Sequence, residues 1–251
     1  GISENGPDLG SSDVKLIHET KVAVLTGDQI SSLNYGAIWH FFEKQLNYPL
    51  THLNYETFNS VDLSSVDVLI LPSGFYESSK GNNNALKDWV SSGGKVIAMD
   101  RALNSLTNLD IGLEKNENEN ENEINKLVKY DERNKSRIKE SISGAIFKIN
   151  LDNTHPMAYG YEDNYYFSLK IGNSSYRLLE DGYNVGYLNN KPKPTSGFAG
   201  EKALDKISNS LVFGHQDYGN GSFIYMVDNP LFRSFWENGK LLLVNSIFFV
   251  D

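Results

Sequence analysis

Three apolar runs leave this chain few ways to fold: Lys21-Val22-Ala23-Val24-Leu25-Thr26, Val66-Asp67-Val68-Leu69-Ile70-Leu71 and Lys95-Val96-Ile97-Ala98-Met99. Each is apolar at nearly every position rather than at alternate ones, the mark of a strand buried on both faces. The segments between them change period. In residues 36–46, Ile38, Phe41, Phe42 and Leu46 recur at helical spacing, with Trp39 widening the stripe. In residues 82–91, Ala85, Leu86, Trp89 and Val90 do the same, and Gly93-Gly94 stops the helix. A short strand is predicted at residues 50–54 and a polar loop at 29–35. Strands alternating with helices at this spacing give βαβ units, hence a parallel sheet with helices on both faces.

Composition then removes whole classes of function. The 251 residues carry a formal net charge of -9 without a Lys/Arg run, which argues against a nucleic-acid partner. No cysteine is present, so neither disulfides nor thiol chemistry is available. The 14 Tyr, 13 Phe and 3 Trp offset a modest apolar fraction of 39% by supplying large buried surfaces. The longest apolar stretch, at 241–250, is interrupted by Asn245 and Ser246 and is too short to span a membrane. The chain opens on Gly1 without an initiator Met or a signal peptide, so the expectation is a fragment with more sequence upstream.

Residues 1–20 read as a linker or domain junction, polar and rich in Gly and Ser, with a short edge strand at 14–17. Residues 21–251 read as one domain. It is interrupted at about 114–125 by alternating Glu and Asn, which bury nothing and repel one another, so a solvated mobile insertion is expected. Carboxylates and amide oxygens suit calcium, but the run lacks the glycine turn and spacing of a calcium loop. From residue 144 the segments shorten into strands at 145–149, 165–170, 184–188, 210–214 and 222–227. The last of these is expected to return to the main sheet. A mostly buried helix at 240–249 closes the chain.

With these elements in place, Leu71-Pro72-Ser73-Gly74 and residues 89–100 resemble the class I glutamine amidotransferase-like fold, a relative of flavodoxin-like sheets. Two further motifs are more particular: His155-Pro156-Met157-Ala158-Tyr159-Gly160, and Asn229-Pro230-Leu231-Phe232-Arg233-Ser234-Phe235-Trp236. Together they resemble the amidotransferase-like domain at the C-terminus of bacterial zinc carboxypeptidases of the M14 type. The resemblance implies a secreted or periplasmic protein whose peptidase domain precedes this chain as its partner. The zinc site of such a peptidase needs His-x-x-Glu and a later His. His40-Phe41-Phe42-Glu43 has that spacing but falls inside the helical stripe at 36–46, and none of His18, His52, His155 or His215 has Glu three residues on. The expectation is that the zinc site lies outside this fragment, and no metal or other cofactor is assigned to it.

Amidotransferases of this fold place a thiolate, and related peptidases a serine, at the elbow after the third strand. Here the elbow reads Met99-Asp100-Arg101-Ala102, and Ser105 lies most of a helical turn beyond it. Nucleophilic chemistry is expected to be lost. A ligand site is still expected, because open α/β sheets bind outside the carboxyl ends of their strands. Asp28, Gly74, Tyr76, Asp100, Arg101 and His155 are the candidates to gather there, with a peptide or sugar as ligand. Plainer readings compete. Asp28 and Asp100 cap the segments that follow them while Arg101 pairs with one of the two, Gly74 offers backbone donors without a nucleophile to serve, and His155 before Pro156 is a turn residue. Arg233 stacks on its aromatic neighbours or pairs with Asp228, and His215 precedes a turn.

The expected function is thus a non-catalytic accessory domain of a secreted zinc carboxypeptidase, supporting the peptidase or binding substrate or partner. The alternatives are a stand-alone carbohydrate- or small-molecule-binding protein and a cryptic hydrolase using Asp100 or His155.

Overall fold

Every side chain of the three central strands except Thr26 is buried, and successive ones enter opposite layers. In the computed structural model, which describes residues 19–76, 80–116 and 132–250 and positions 6, 8, 10, 11 and 129, these strands are β1 (Val22–Thr26), β3 (Val68–Leu71) and β4 (Lys95–Met99). Val22, Val24, Val68, Ile70, Ile97 and Met99 face one core, while Ala23, Leu25, Leu69, Leu71, Val96 and Ala98 face the other. With β2 (Thr51–Asn54) outside β1 and β10 (Gly221–Met226) beside β4, they form five parallel strands in the order β2-β1-β3-β4-β10.

The second half of the chain extends this same sheet with antiparallel pairings. Strands β9 (Leu211–Tyr218), β7 (Tyr183–Tyr187), β5 (Ile142–Leu151) and β6 (Tyr165–Lys170) follow β10 in that order, and β8 (Pro194–Ala199) pairs with β5. The fold is therefore an α/β mixed sheet, with the expected parallel half and the β-rich elaborations fused edge to edge. As expected, β10 closes the parallel set, bonding to β4 on one side and β9 on the other.

Helix α1 (Ser32–His40), continued by a π-wound turn Phe41–Leu46, packs Ala37, Ile38, Phe41 and Phe42 into the first core. It starts four residues earlier than its apolar stripe suggests. The Ser31 hydroxyl accepts from the Asn34 N–H at 3.4 Å, so a polar stretch read as loop supplies the first turn. Helices α2 (Lys80–Ser91) and α3 (Leu103–Leu106) cover the opposite face. Two short helices, α4 (Arg133–Lys139) and α5 (Glu201–Lys206), lack an amphipathic stripe long enough to read from sequence.

Helix α6 (Lys240–Phe248) returns to the first core through Leu242, Leu243 and Ile247, with Leu241 left partly exposed. Lys95, at the start of β4, donates its ammonium to the Ile247 carbonyl at 3.2 Å and to the Val250 carbonyl. A buried cation thus sits at a helix C-terminus where unpaired carbonyls collect.

The strand expected at 210–214 runs four residues further, to Tyr218. Its turn is the two-residue link Gly219-Asn220, with Gly219 at φ +65°. His215 therefore lies inside a strand. The expected strand at 14–17, most of the linker and most of the acidic run fall outside the described residues. The run's opening residues are tied down: Glu114 pairs with Arg177 at 2.8 Å, and Asn116 donates to the Lys206 carbonyl at 3.1 Å. Among the described residues no helix is long and apolar enough to cross a membrane.

Candidate functional site

Five loops meet above the carboxyl ends of the parallel strands, and the loop after β4 sets the geometry. Asp100 follows Met99 directly with φ +51°, a left-handed backbone that few residues other than glycine adopt, and the chain then turns into Arg101-Ala102 and α3. This is the sharp elbow expected of the fold, holding a carboxylate. The Ser73 hydroxyl, from the loop after β3, donates to Asp100 Oδ2 at 2.8 Å. Burial raises the Asp100 carboxyl above its ordinary value of 3.8; the Ser73 bond opposes this, the charge of Asp228 adds to it, and Arg101 and Lys170 oppose it.

Asp228, just past β10, is buried against β6. It accepts from the Ser168 hydroxyl at 2.6 Å and from the Lys170 ammonium at 3.0 Å, and the side chains of Lys170 and Asp228 are 2% and 5% exposed. A charge pair so far from water holds only because each partner satisfies the other. Beside it, Asn229 donates to Asn34 at the start of α1 at 2.6 Å and accepts from the Leu231 N–H at 2.8 Å. Asp100, Arg101, Asn34, Asn229, Asn173 and Phe232 line a cleft of about 300 Å³ over this floor.

Only some of the expected residues gather at this cleft. Asp100 and Arg101 line it, but neither acts as the plainer reading had it. Asp100 caps nothing with its side chain, and the Arg101 guanidinium lies 5.4 Å from the centre of the exposed Phe75 ring. Asp28 is exposed and does not line the cleft. Tyr76 turns away, its hydroxyl donating to the Pro72 carbonyl at 2.6 Å and its ring meeting Tyr55 edge-on. Gly74 is pinned opposite Ile30, where a Cβ would come within 2.9 Å of the Gln29 carbonyl. The neighbouring Phe75 N–H is already committed to that carbonyl at 3.0 Å. Close approach of two loops, rather than an oxyanion hole, accounts for this glycine.

His155 is the main correction, because it lies at the other end of the sheet. β10 runs with β4, and each step from β10 through β9 and β7 to β5 reverses direction, so β5 runs against the parallel strands. Its C-terminal end, and the loop carrying His155, therefore sit at their amino ends. There His155 Nδ1 accepts from the Met157 N–H at 3.1 Å, starting the turn Pro156–Ala158, and its Nε2 lies 3.1 Å from His215 Nδ1. His215 stacks on Tyr183 with ring centres 5.3 Å apart, and its Nε2 lies 3.2 Å from Asp217 Oδ1.

The Met157 bond fixes the neutral tautomer of His155: its Nδ1 accepts, so its Nε2–H donates to His215 Nδ1. Burial lowers the His155 pKa below 6.5, against the pull of Asp152 and Asp217. Sequence reading missed this pair, as it missed Lys170–Asp228, because partners 60 and 58 residues apart leave no local spacing signal. Among the described residues no group of three His, Asp or Glu side chains could hold a metal ion.

Of the two further motifs, Asn229 and Phe232 reach the cleft, while Met157, Tyr159 and Trp236 pack against α6 and β6. The Asn245 amide donates to the Met157 carbonyl at 3.1 Å and the Tyr159 carbonyl at 2.7 Å, the Trp236 indole donates to the Tyr166 hydroxyl at 3.2 Å, and Arg233 lies over Phe232.

No protein-family model matches the sequence, and no curated protein sequence matches it. Solved structures do match in shape. A glutamine amidotransferase from Thermotoga maritima has a TM-score of 0.52 at 10% identity, over 85% of this chain and 77% of that one. A ThuA-like protein from Parabacteroides merdae has a TM-score of 0.56 at 13% identity, over 90% and 89%. A β-galactosidase from Bacillus circulans sp. alkalophilus has a TM-score of 0.53 at 15% identity; the match covers 91% of this chain but spans only 30% of the galactosidase. At such identities the likeness establishes the amidotransferase-like fold and nothing about activity.

Proposed function

We propose that this chain is a catalytically silent amidotransferase-like domain, an accessory module of a secreted zinc carboxypeptidase of the M14 type. In that role it supports the peptidase domain and presents the cleft at its carboxyl edge to a ligand or partner. The observation that carries the silent reading is the elbow itself. Its strained backbone is kept, but it presents Asp100, whose hydrogen-bond donor is Ser73 and whose nearest candidate base from the sequence, His155, lies at the opposite end of the sheet. Acyl transfer needs a nucleophile that substrate can reach and a base within hydrogen-bond reach of it. The one hydroxyl bonded to Asp100 among the described residues, that of Ser73, is buried and does not line the cleft, and the elbow position itself carries a carboxylate. The peptidase context rests on the two C-terminal motifs, which pack around α6 and the edge of β6.

Turnover by the purified chain on panels of amide, ester and glutamine substrates is the test. The expected rate is that of buffer alone. A rate above buffer that disappears in Asp100→Asn would overturn the silent reading. The coding sequence upstream of Gly1 tests the context separately, with His-x-x-Glu and a later His expected there.

A further inference from the structure

The carboxyl-edge cleft keeps a costly arrangement that the fold itself does not use. Asp100 sits in left-handed backbone, half-buried, and Ser73 is its one hydrogen-bond donor among the described residues. Ser73 engages Oδ2, which leaves acceptor capacity on the carboxylate facing the cleft. Strain of this kind costs on the order of 1–3 kcal/mol and persists where the surrounding structure holds it for a purpose. The deeper ionic pair has no such opening, since Asp228 already takes both Ser168 and Lys170.

We infer that the cleft binds a neutral polyhydroxylated ligand of about one or two sugar rings, with Asp100 accepting from its hydroxyls and Arg101 donating to them. Three features select this class. The charged groups at the cleft are Asp100, Asp228, Arg101 and the Lys170 that Asp228 holds, and they sum to zero. A charged ligand would therefore be desolvated without net compensation. Asp100 only accepts and Arg101 only donates, and a hydroxyl serves both from one atom, where an amide needs two. Phe232 adds an aromatic wall against which ring C–H groups pack, and about 300 Å³ is at the small end of ligand pockets. The inference rests on the silent reading of the elbow, because a ligand bound against Asp100 is held there and not consumed.

Saturation-transfer difference NMR on the purified chain tests it, with glucose, galactose, mannose, the corresponding disaccharides and myo-inositol as neutral probes and glycine and glutamine as zwitterionic ones. The expected result is a dissociation constant in the millimolar range or tighter for at least one neutral probe. Asp100→Asn and Arg101→Met should each weaken it about tenfold, the loss of one hydrogen bond to a charged group, with Asp28→Asn unchanged. Monosaccharide and disaccharide arms separate a free sugar from the end of a glycan. Circular dichroism shows whether each variant is folded. Asparagine tolerates left-handed backbone and is nearly isosteric, which keeps the Asp100 test readable.

No binding by any neutral probe, or binding by the zwitterions alone, would overturn the inference while leaving the silent elbow intact. Binding of a glycoside followed by its cleavage would instead overturn the silent elbow and leave the ligand class standing.

Discussion

The two ends of one sheet handle buried ionisable groups in opposite ways. At the carboxyl end Ser73 is the one donor to Asp100 among the described residues, and Asp100 faces a cleft, so part of its hydrogen-bonding capacity is left for something outside the protein. At the amino end His155 uses both ring nitrogens inside the protein, Nδ1 accepting from the Met157 N–H and Nε2 donating to His215 Nδ1, with Asp217 Oδ1 3.2 Å from His215 Nε2. A further proton on His155 or His215 would cost the Met157 bond, because His155 Nδ1 would have to carry it. An open set of polar groups indicates a site for a ligand, whereas a closed set holds a loop in place. The closed end anchors the turn Pro156–Ala158, onto which α6 docks through Asn245.

The largest effect should come from beneath the cleft. Lys170→Met leaves Asp228 buried and unpaired, and urea unfolding at pH 7 should show a loss of about 3–5 kcal/mol. Adding Asp228→Leu should recover most of it. A loss under about 1 kcal/mol would mean the pair is exposed in solution, and the cleft would have no rigid floor. Next, His155→Phe strands the Met157 N–H and His215 Nδ1, for an expected loss of about 2 kcal/mol.

The pH dependence separates the two ends by sign. The folded-state pKa of His155 is lowered by burial, so the unfolded chain takes up the proton first. The contribution of His155 is full above about 6.5 and is lost as pH falls from there toward the folded pKa. Asp100 is the reverse case. Its folded pKa is raised, so between that value and 3.8 the folded state binds more protons, and its relative contribution grows as pH falls through that window. Comparing stability against pH for the wild type, His155→Phe and Asp100→Asn reads both slopes, and slopes of one sign would break the comparison. The smallest effect is Asp100→Asn at pH 7, expected to stabilise by less than about 1 kcal/mol, since it removes a partly desolvated charge while keeping an acceptor for Ser73.

The parallel half was legible because burial on both faces forces a continuous apolar run, visible in residues 22–25, 68–71 and 96–99. The elbow was legible for the same reason: the end of the third run places Asp100 and Arg101 at the carboxyl edge. The direction of β5 was not legible, and it alone moved His155 from the expected site to the far end. Short strands carry no signal that tells parallel from antiparallel neighbours, and β9 was cut short because Gln216, Asp217 and Tyr218 look like turn approach. The early start of α1 was hidden behind Ser31, whose capping bond outweighs the polar character of the first turn.

The most direct measurement is a ¹³C NMR titration of the Asp100 side-chain carboxyl, alone and with a saturating neutral hexose. The expected result is a midpoint above the ordinary carboxylate value that moves when the sugar binds, with the His155 ring resonances unaffected. A midpoint at or below 3.8, indifferent to the sugar, would show a carboxylate already fully satisfied within the protein and would contradict an open carboxyl end.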